Sequence, residues 1–344
     1  MTLPAGKDTA TQARDQRTGA TLFSVIVPSR GDPTKLGALL DALAPQTLPR
    51  ERREILIVLD GVAPGPELAA RVTHAGATLL VLPERGGPGA ARNHGAAHAN
   101  GAWLAFTEDD VAPAPDWLEQ AALRIERDPG LDAIEGVTMK PGGRRVHRHA
   151  GDRPLWLPTN LFVRRETFER AGGYCTDYFD AARGIYFRED ADFGFTLEKL
   201  GARIAREPAA RVVHPEEHPG FLDPLRWARR YEMDALLEKR HPERFRERIE
   251  VHRLGPFTIR RPIVRASFLY VLALLLAAAT AGGGLIGTAV WFAGFAALMF
   301  VVVWAKWRFD VLRLPVYLLV PFVLVRAVGR GYGRRGGSGL PEKP

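Results

Sequence analysis

The chain has 344 residues, of which 46% are hydrophobic and 25% charged, a length and composition that allow two folded units and exclude an intrinsically disordered protein. The single cysteine, Cys175, excludes an intramolecular disulfide. The net charge of +8 suggests a nucleic-acid partner. However, residues 239–265 and 306–335 carry +6 each, which leaves −4 for the rest of the chain. No nucleic-acid partner is therefore expected.

The N-terminal half alternates between apolar runs and helical patterns. Residues 1–20 are polar without the apolar core of a signal peptide, which predicts a disordered tail and a soluble part that stays in the cytoplasm. Apolar runs predict strands at 22–27, 54–59, 77–82 and 102–106. Apolar periodicity predicts helices at 36–43, 66–75 and 90–100. Such alternation predicts an α/β domain with a mostly parallel sheet, helices on both faces and the ligand at the carboxyl ends of the strands.

After residue 131 this alternation gives way to short strands and loops, which predicts an attached acceptor region. The expected α/β domain spans 21–240, with a nucleotide half at 21–130 and an acceptor half at 131–240. Lys140–Arg153 is a basic loop, either solvated or in contact with an acceptor phosphate. Pro224–Lys239 has the pattern of an amphipathic helix.

A glycine-rich turn, Gly86-Gly87-Pro88-Gly89, follows the third predicted strand. It is not a dinucleotide-binding loop, because Arg92 stands at the third glycine position and the loop does not follow the first strand. A turn of this kind into a helix suits a diphosphate, since backbone amides and the helix dipole attract anions. A strand-to-helix turn without a ligand is the alternative.

Three consecutive acids, Glu108, Asp109 and Asp110, follow the fourth predicted strand. Adjacent carboxylates repel one another unless they are solvated or bind a cation. A divalent ion with oxygen ligands, bridging to phosphate oxygens, fits this pattern. A solvated helix cap is the alternative, and Asp60 before Gly61 has a similar alternative as a turn residue.

A series of motifs over about residues 22–240 resembles family 2 glycosyltransferases of the GT-A fold. The motifs occur in the order and spacing of that family, and they are Val25–Arg30, Leu59–Gly61, Gly89–Gly95, Phe106–Asp110, Thr159–Arg165, Ala171–Tyr174, Glu189–Phe193 and Pro208–His214. The resemblance implies a Rossmann-like nucleotide-sugar-binding domain and a nucleoside-diphosphate sugar as donor.

The resemblance also implies a role for each matching residue. Asp190 would be the catalytic base, with the N-cap of a helix at 191–200 as its alternative. Asp110 would bind Mg²⁺ or Mn²⁺, together with Glu108, which departs from the first acid of the family's D-x-D motif. His214 would contact the metal or diphosphate, or form only a strand-end hydrogen bond. The donor would be bound by Pro28, Ser29, Arg30, Asp60, Gly89, Arg92, Asn93 and Asp109, with Arg92 and the metal neutralising the departing diphosphate.

Residues 266–305 are 40 consecutive uncharged residues, about 60 Å as helix and twice the hydrocarbon thickness of a bilayer. Ala281–Gly284 near the middle predicts a turn, so we expect a transmembrane helical hairpin of 266–281 and 285–305. Basic residues on both sides place both ends in the cytoplasm, in a multi-pass protein of the cell membrane. A buried hairpin in a soluble protein is the alternative.

A basic juxtamembrane linker is predicted at 241–265, and residues 306–344 contain a further apolar stretch, Leu314–Val328, before a basic tail. Its prolines and the following arginines favour an interfacial or re-entrant helix over a third span. Two spans are few for a polymer-threading channel, and the glutamine of the family's Q-x-x-R-W element is missing before Arg226 and Trp227. Transfer of a single sugar to a lipid-linked or glycan acceptor is therefore expected.

Two functions from other classes remain open at this point. A nucleotidyltransferase would share the sheet and the acids, but it needs a glycine-rich arginine-lysine signature where this chain has Pro28–Gly31. A membrane-tethered binding protein without catalysis is favoured only by the departure of Glu108 from the family's D-x-D motif. The presence of both Asp110 and Asp190 argues against it.

Overall fold

The computed structural model describes residues 21–142, 157–216, 220–254, 257–279 and 311–333, with single residues at 287, 289, 293 and 294. The predicted tail, most of the predicted basic loop and most of the predicted hairpin lie outside the described residues. The chain divides into two compact units, Met1–Ala181 with Glu189–Glu216 and Ala182–Arg188 with Glu217–Pro344.

The first unit is built on one eight-stranded sheet. Its strands are β1 (Phe23–Ser29), β2 (Arg53–Asp60), β3 (Thr78–Leu82), β4 (Trp103–Phe106), β5 (Ala112–Pro113), β6 (Ala133–Met139), β7 (Leu161–Arg164) and β10 (Ile204–Val213). The strand order is β3-β2-β1-β4-β7-β6-β10-β5. β7 is antiparallel to both of its neighbours and β5 is antiparallel to β10, while the remaining pairings are parallel. The mostly parallel sheet is therefore confirmed, and the strands after residue 131 extend it.

Helices cover both faces of this sheet. They are α1 (Pro33–Leu43), α2 (Pro66–His74), α3 (Gly87–His98), α4 (Trp117–Arg127), α5 (Arg165–Arg170) and α6 (Glu189–Lys199). α1 begins three residues earlier than its apolar periodicity predicted, because the Asp32 carboxylate caps it by accepting from the Thr34 and Lys35 amides. A short strand, β8 (Phe179–Asp180), also belongs to this unit.

Alternation along β1 divides the core into two layers. Val25 and Val27 face a layer that includes α1, α2 and α4, whereas Ile26 faces a layer with α3, α5 and α6. In the second layer α3 lies very close to the sheet, since a Cβ on Gly95 would be 2.6 Å from Ile26 Cγ2. This close approach fixes the start of α3, and with it the glycine-rich turn, at the sheet edge.

Within its described residues, the second unit contains β9 (Ile185–Tyr186), five α-helices and a β-hairpin. The helices are α7 (Asp223–Arg230), α8 (Asp234–Arg240), α9 (Pro242–Arg248), α10 (Pro262–Ala279) and α11 (Leu314–Gly333), and the hairpin strands are β11 (Val251–Leu254) and β12 (Phe257–Arg260). The amphipathic helix predicted at 224–239 is thus divided into α7 and α8, with one 3-10 turn between them. The Asp234 carboxylate, fully buried, pairs with Arg188 at 2.7 Å and with Arg261.

The two apolar helices of this unit differ in length. Among the described residues, Pro315–Gly333 within α11 is the helix long and apolar enough to cross a membrane, while the apolar part of α10 that qualifies, Pro262–Leu276, is shorter. The helix predicted at 314–328 therefore forms and runs five residues further, a length that also fits a span. α10 carries a row of exposed apolar side chains at Phe268, Leu269, Leu272, Leu275 and Leu276.

Candidate functional site

The sheet brings the carboxyl ends of β1, β2, β4 and β10 to one edge, because these strands all point in the same direction. Glu108 and Asp110 follow β4, and His214 follows β10. One ligand atom from each of these three side chains lies within 4.8 Å of those of the other two. His214 Nε2 is 3.8 Å from Glu108 Oε2 and 3.9 Å from Asp110 Oδ1. We call these three residues the acid–histidine cluster.

A buried turn, Pro158–Asn160, supports the Glu108 carboxylate. The Thr159 hydroxyl donates to Glu108 Oε2 at 3.0 Å, and the Thr159 carbonyl accepts from the Thr107 hydroxyl at 3.0 Å. The Asn160 side chain accepts from the Trp117 indole and donates to the carbonyls of Val137 and Ala210. Burial raises the pKa of Glu108, although Arg92 opposes the shift. The turn therefore holds a carboxylate that is costly to ionise unless a cation binds it.

Asp109, the middle acid, is bound by β1 instead of by the cluster. Its Oδ2 accepts from the Ser29 hydroxyl at 2.5 Å. Burial raises the pKa of Asp109, and the Ser29 hydrogen bond opposes this shift. Lys35 Nζ lies 3.0 Å from Asp110 Oδ2, and this hydrogen bond raises the pKa of Lys35. Lys35 was not predicted, and its distance of 75 residues from Asp110 left no signal in the sequence.

Asp60 at the end of β2 holds the glycine-rich turn. Its carboxylate accepts from the backbone amides of Gly86 at 2.6 Å and Gly87 at 3.1 Å. Gly87 has φ +81°, and a Cβ there would be 2.5 Å from the Phe179 ring, so both conformation and space require glycine. Arg30 donates to the Asp60 carbonyl at 2.8 Å. Asp60 is thus more than a turn residue, because it organises the loop before α3.

A second group of ionisable side chains surrounds the buried ring of Tyr174. The Arg92 guanidinium lies 5.2 Å above this ring, and its Nη1 is 3.8 Å from Glu189 Oε1. Burial raises the pKa of Tyr174, Arg92 opposes the shift, and the charges of Asp190, Glu189 and Glu108 add to it. The charges of Glu108 and of Asp190 thus both act on one buried phenol.

Asp190 lies in the first turn of α6. The helix begins at Glu189, and Asp190 Oδ1 accepts from the Ala191 amide at 2.7 Å. Asp190 is therefore not the N-cap of a helix that begins at Ala191. Burial raises the pKa of Glu189 to about 7, with a further contribution from the Asp190 charge. Glu189 had no predicted role, although its position directly before Asp190 was a usable signal.

The other predicted donor-binding residues lie along the same edge. Pro28 is partly buried and Arg30 is exposed at the end of β1, and Gly89 lies buried in α3. Asn93 donates to the Tyr174 carbonyl and accepts from its amide, both at 2.8 Å, so that its side chain joins α3 to the Tyr174 backbone. Thr159 and Tyr174 were part of recognised motifs without a predicted role.

Comparison with known sequences gives consistent matches. The model of glycosyl transferase family 2 matches residues 24–189. Glycosyltransferase AglE of Haloferax volcanii is 28% identical over 54% of this chain and 66% of its own length. The pre-mycofactocin glycosyltransferase of Mycobacterium tuberculosis is 29% identical over 56% of this chain and 42% of its own, and succinoglycan biosynthesis protein ExoO of Rhizobium meliloti is 24% identical over 56% and 64%. The chain thus spans less than two thirds of each of these relatives.

Comparison with solved structures gives the fold. The mannosyltransferase PcManGT from Pyrobaculum calidifontis, in complex with GDP-Man and Mn²⁺, aligns with a TM-score of 0.55 at 20% identity, over 90% of this chain and 88% of that one. S. aureus TarS 1-349 in complex with UDP aligns with a TM-score of 0.50 at 16% identity, over 92% of each chain. The sheet and these neighbours give the chain a GT-A fold, and its residues 24–189 match glycosyl transferase family 2.

Proposed function

We propose that the chain is an inverting, metal-dependent glycosyltransferase. It moves a single sugar from a nucleoside-diphosphate sugar to a lipid-linked or envelope glycan acceptor at the cytoplasmic face of the membrane. The observation that carries this proposal is the acid–histidine cluster at the sheet edge, with Asp190 in the same electrostatic neighbourhood. The relatives support it, since those described above include glycosyltransferases and a protein of succinoglycan biosynthesis.

The cluster fits a divalent cation by the chemistry of its ligands. Glu108 and Asp110 offer carboxylate oxygens, which suit Mg²⁺ and Mn²⁺ equally, and the His214 imidazole favours Mn²⁺. The raised pKa of Glu108 agrees with a site that gains from a cation, because burial of the carboxylate is its largest cause. When bound, the ion would neutralise negative charge on the departing nucleoside diphosphate.

The donor nucleotide lies, in this proposal, along the edge formed by β1, β2 and the start of α3. Pro28, Ser29 and Arg30 flank the base and ribose together with Asp60. Gly89 and Asn93 line the path of the donor on α3, and Asp109 supports the nucleotide side through Ser29. The neighbours in complex with GDP-Man and with UDP support a nucleotide as the ligand.

Asp190 acts as the general base. Its carboxylate removes the proton from the acceptor hydroxyl while that oxygen forms a bond to the anomeric carbon of the donor sugar. The bond from the anomeric carbon to the phosphate oxygen breaks, and its electron pair leaves with the nucleoside diphosphate. Because the attack comes from the face opposite to the leaving group, the configuration at the anomeric carbon is inverted.

The second unit and the sequence around it support the parts of the proposal that concern the membrane and the acceptor. An apolar helix of sufficient length, the exposed apolar row on α10 and the charge of +6 at residues 239–265 suit a bilayer with anionic headgroups. A lipid-linked acceptor would be concentrated at that surface. The proposal includes two or more spans, with the catalytic unit in the cytoplasm.

The test is donor binding and donor hydrolysis by the full chain in detergent, with a panel of nucleotide sugars and with Mg²⁺, Mn²⁺ or chelator. One donor should bind in a metal-dependent way to the wild type. Asp110→Ala should abolish that binding, and Asp190→Asn should bind without turnover. Asp41→Asn, which changes an exposed acid paired with Arg71, is the matched control and should behave as the wild type. Absence of binding of every nucleotide sugar at any metal concentration would overturn the proposal.

A further inference from the structure

Arg92 is buried in a way that its expected role as a diphosphate ligand does not explain. Its side chain is 3% exposed and lies on the inner face of α3, between the Tyr174 ring and Glu189. Among the residues that the structure describes, Arg92 Nε and Nη1 have no hydrogen-bond partner. A guanidinium in this position is directed at neighbouring protein charges and has little access to a ligand at the sheet edge.

Glu189 responds to the Arg92 guanidinium. The Arg92 charge lowers the pKa of Glu189, against the larger effects of burial and of the Asp190 charge. Glu189 Oε1 forms an ion pair with Arg92 Nη1 at 3.8 Å, and both side chains are buried. Loss of one partner of a buried pair leaves the other charge without compensation.

Glu189 precedes Asp190 directly and begins α6. A change in the position of the Glu189 backbone therefore changes the position of Asp190. Asn93, the residue after Arg92, fixes the other side of this region, since its side chain bonds twice to the Tyr174 backbone. α3 thus contacts both the Tyr174 ring and Glu189, the residue before the candidate base.

We propose that Arg92 is a positioning residue for Asp190: its guanidinium holds Glu189 beside the Tyr174 ring, and it does not bind the donor diphosphate. This inference rests on the proposed function for its catalytic consequence. The contact between Arg92 and Glu189 itself does not depend on that function.

The first test separates positioning from diphosphate binding. For Arg92→Gln we expect the dissociation constants of UDP and of GDP, each measured with Mn²⁺, to stay within about twofold of the wild type. The kcat of donor hydrolysis should fall about 100-fold, since small displacements of reacting groups reduce rates by that order, while the donor KM is unchanged. Arg92→Lys, which keeps the charge, should recover part of kcat. Arg127→Gln removes an exposed arginine charge and is the control.

The second test measures the pair without any nucleotide. Arg92→Gln should lower Tm by about 5–10 °C, because it leaves the Glu189 carboxylate buried and unpaired. Adding Glu189→Gln to Arg92→Gln should restore at least about half of that loss. Tm is measured by thermal unfolding of the full chain in detergent.

The outcomes are distinct. A tenfold or greater loss of UDP or GDP affinity in Arg92→Gln, or an unchanged kcat, would overturn the inference. If the wild type binds neither nucleotide, the proposed function fails, and the Tm comparison still decides whether Arg92 holds Glu189. In that case, no recovery of Tm in the double variant would overturn the inference as well.

Discussion

Ser29 donates a hydrogen bond of 2.5 Å to Asp109, a residue 80 positions later in the chain. The bond joins the ends of β1 and β4, which are neighbours in the sheet. It also assigns different tasks to the three consecutive acids, because Asp109 is bound by β1 whereas Glu108 and Asp110 approach His214. Glu108 and Asp110, which are two residues apart, are thus both available to one cation.

Ser29→Ala should destabilise the protein by about 1–3 kcal/mol, because it leaves the partly buried Asp109 carboxylate without its hydroxyl donor. The measurement is Tm in detergent at neutral pH. Thr47→Ala is the matched control, since it removes a Thr hydroxyl bonded to Glu119 at the same distance of 2.5 Å on an exposed site. Equal losses of Tm in the two variants would contradict the role given to Ser29.

His214→Ala should lower Mn²⁺ affinity at least about tenfold, the loss that follows even when only a group supporting a metal ligand is removed. The affinity for Mg²⁺ should fall less, because Mg²⁺ prefers the carboxylate oxygens that remain. Free Mn²⁺ can be counted by electron paramagnetic resonance, and Mg²⁺ by competition with Mn²⁺. His74→Ala, an exposed histidine at the end of α2, should leave both affinities unchanged. If the two histidine variants bind Mn²⁺ alike, His214 is not a ligand.

Asp234→Ala should destabilise the second unit by about 3–5 kcal/mol, because Arg188 and Arg261 would lose their shared, fully buried counter-ion. Glu247→Ala removes the partner of Arg244 at 3.4 Å, where both side chains are about half exposed, and should change stability by less than about 1 kcal/mol. Thermal unfolding of the two variants gives the comparison. A fall in Tm no larger for Asp234→Ala than for Glu247→Ala would show that the buried pairs contribute little.

The effect of Glu189→Gln on stability should depend on pH. The pKa of Glu189 is raised from 4.5 to about 7 by burial and by Asp190, so the folded state holds the proton more tightly than the unfolded state. The stability that follows from this is complete below about pH 4.5 and is lost as pH rises through about 7. The Tm of Glu189→Gln relative to the wild type should therefore rise over this range, by an amount equivalent to roughly 3 kcal/mol, and then level off.

The control for this titration is Glu67→Gln, an exposed glutamate in the first turn of α2. Its Tm difference from the wild type should stay flat over the same range of pH. A flat difference for Glu189→Gln would mean that the Glu189 carboxylate is ionised in the folded protein throughout.

The sequence predicted the strands β1 to β4 well because each is a continuous apolar run with a clear turn after it. Periodicity does not indicate pairing, however, so the place of β7 between β4 and β6 was not predictable. β7 has only four residues, Leu161–Arg164. It pairs with β4, which begins 58 residues earlier, through partners such as Trp103 and Arg164. It also pairs with β6, which begins 28 residues earlier, through partners such as Ala133 and Val163. That antiparallel insertion joins the two predicted halves into one sheet.

The candidate site divides in the same way. Glu108, Asp110 and His214 follow strands, and the topology of a parallel sheet brings such residues to one edge, so the motifs were sufficient to predict them. Lys35, on the exposed first turn of α1, reaches Asp110 only through the length of its side chain. The burial of Arg92 was not predictable either: the family resemblance assigned Arg92 to the donor, and its packing against Tyr174 depends on the tertiary fold.

The two compact units are interleaved along the chain, since residues 182–188 belong with the C-terminal unit although 189–216 return to the first. A truncation after residue 216 would therefore keep Arg188 and delete Asp234, its buried counter-ion. The first unit therefore cannot be separated from the second by removing everything after one peptide bond. A version for work without detergent has to retain the segment around Asp234, or replace Arg188 by an uncharged residue.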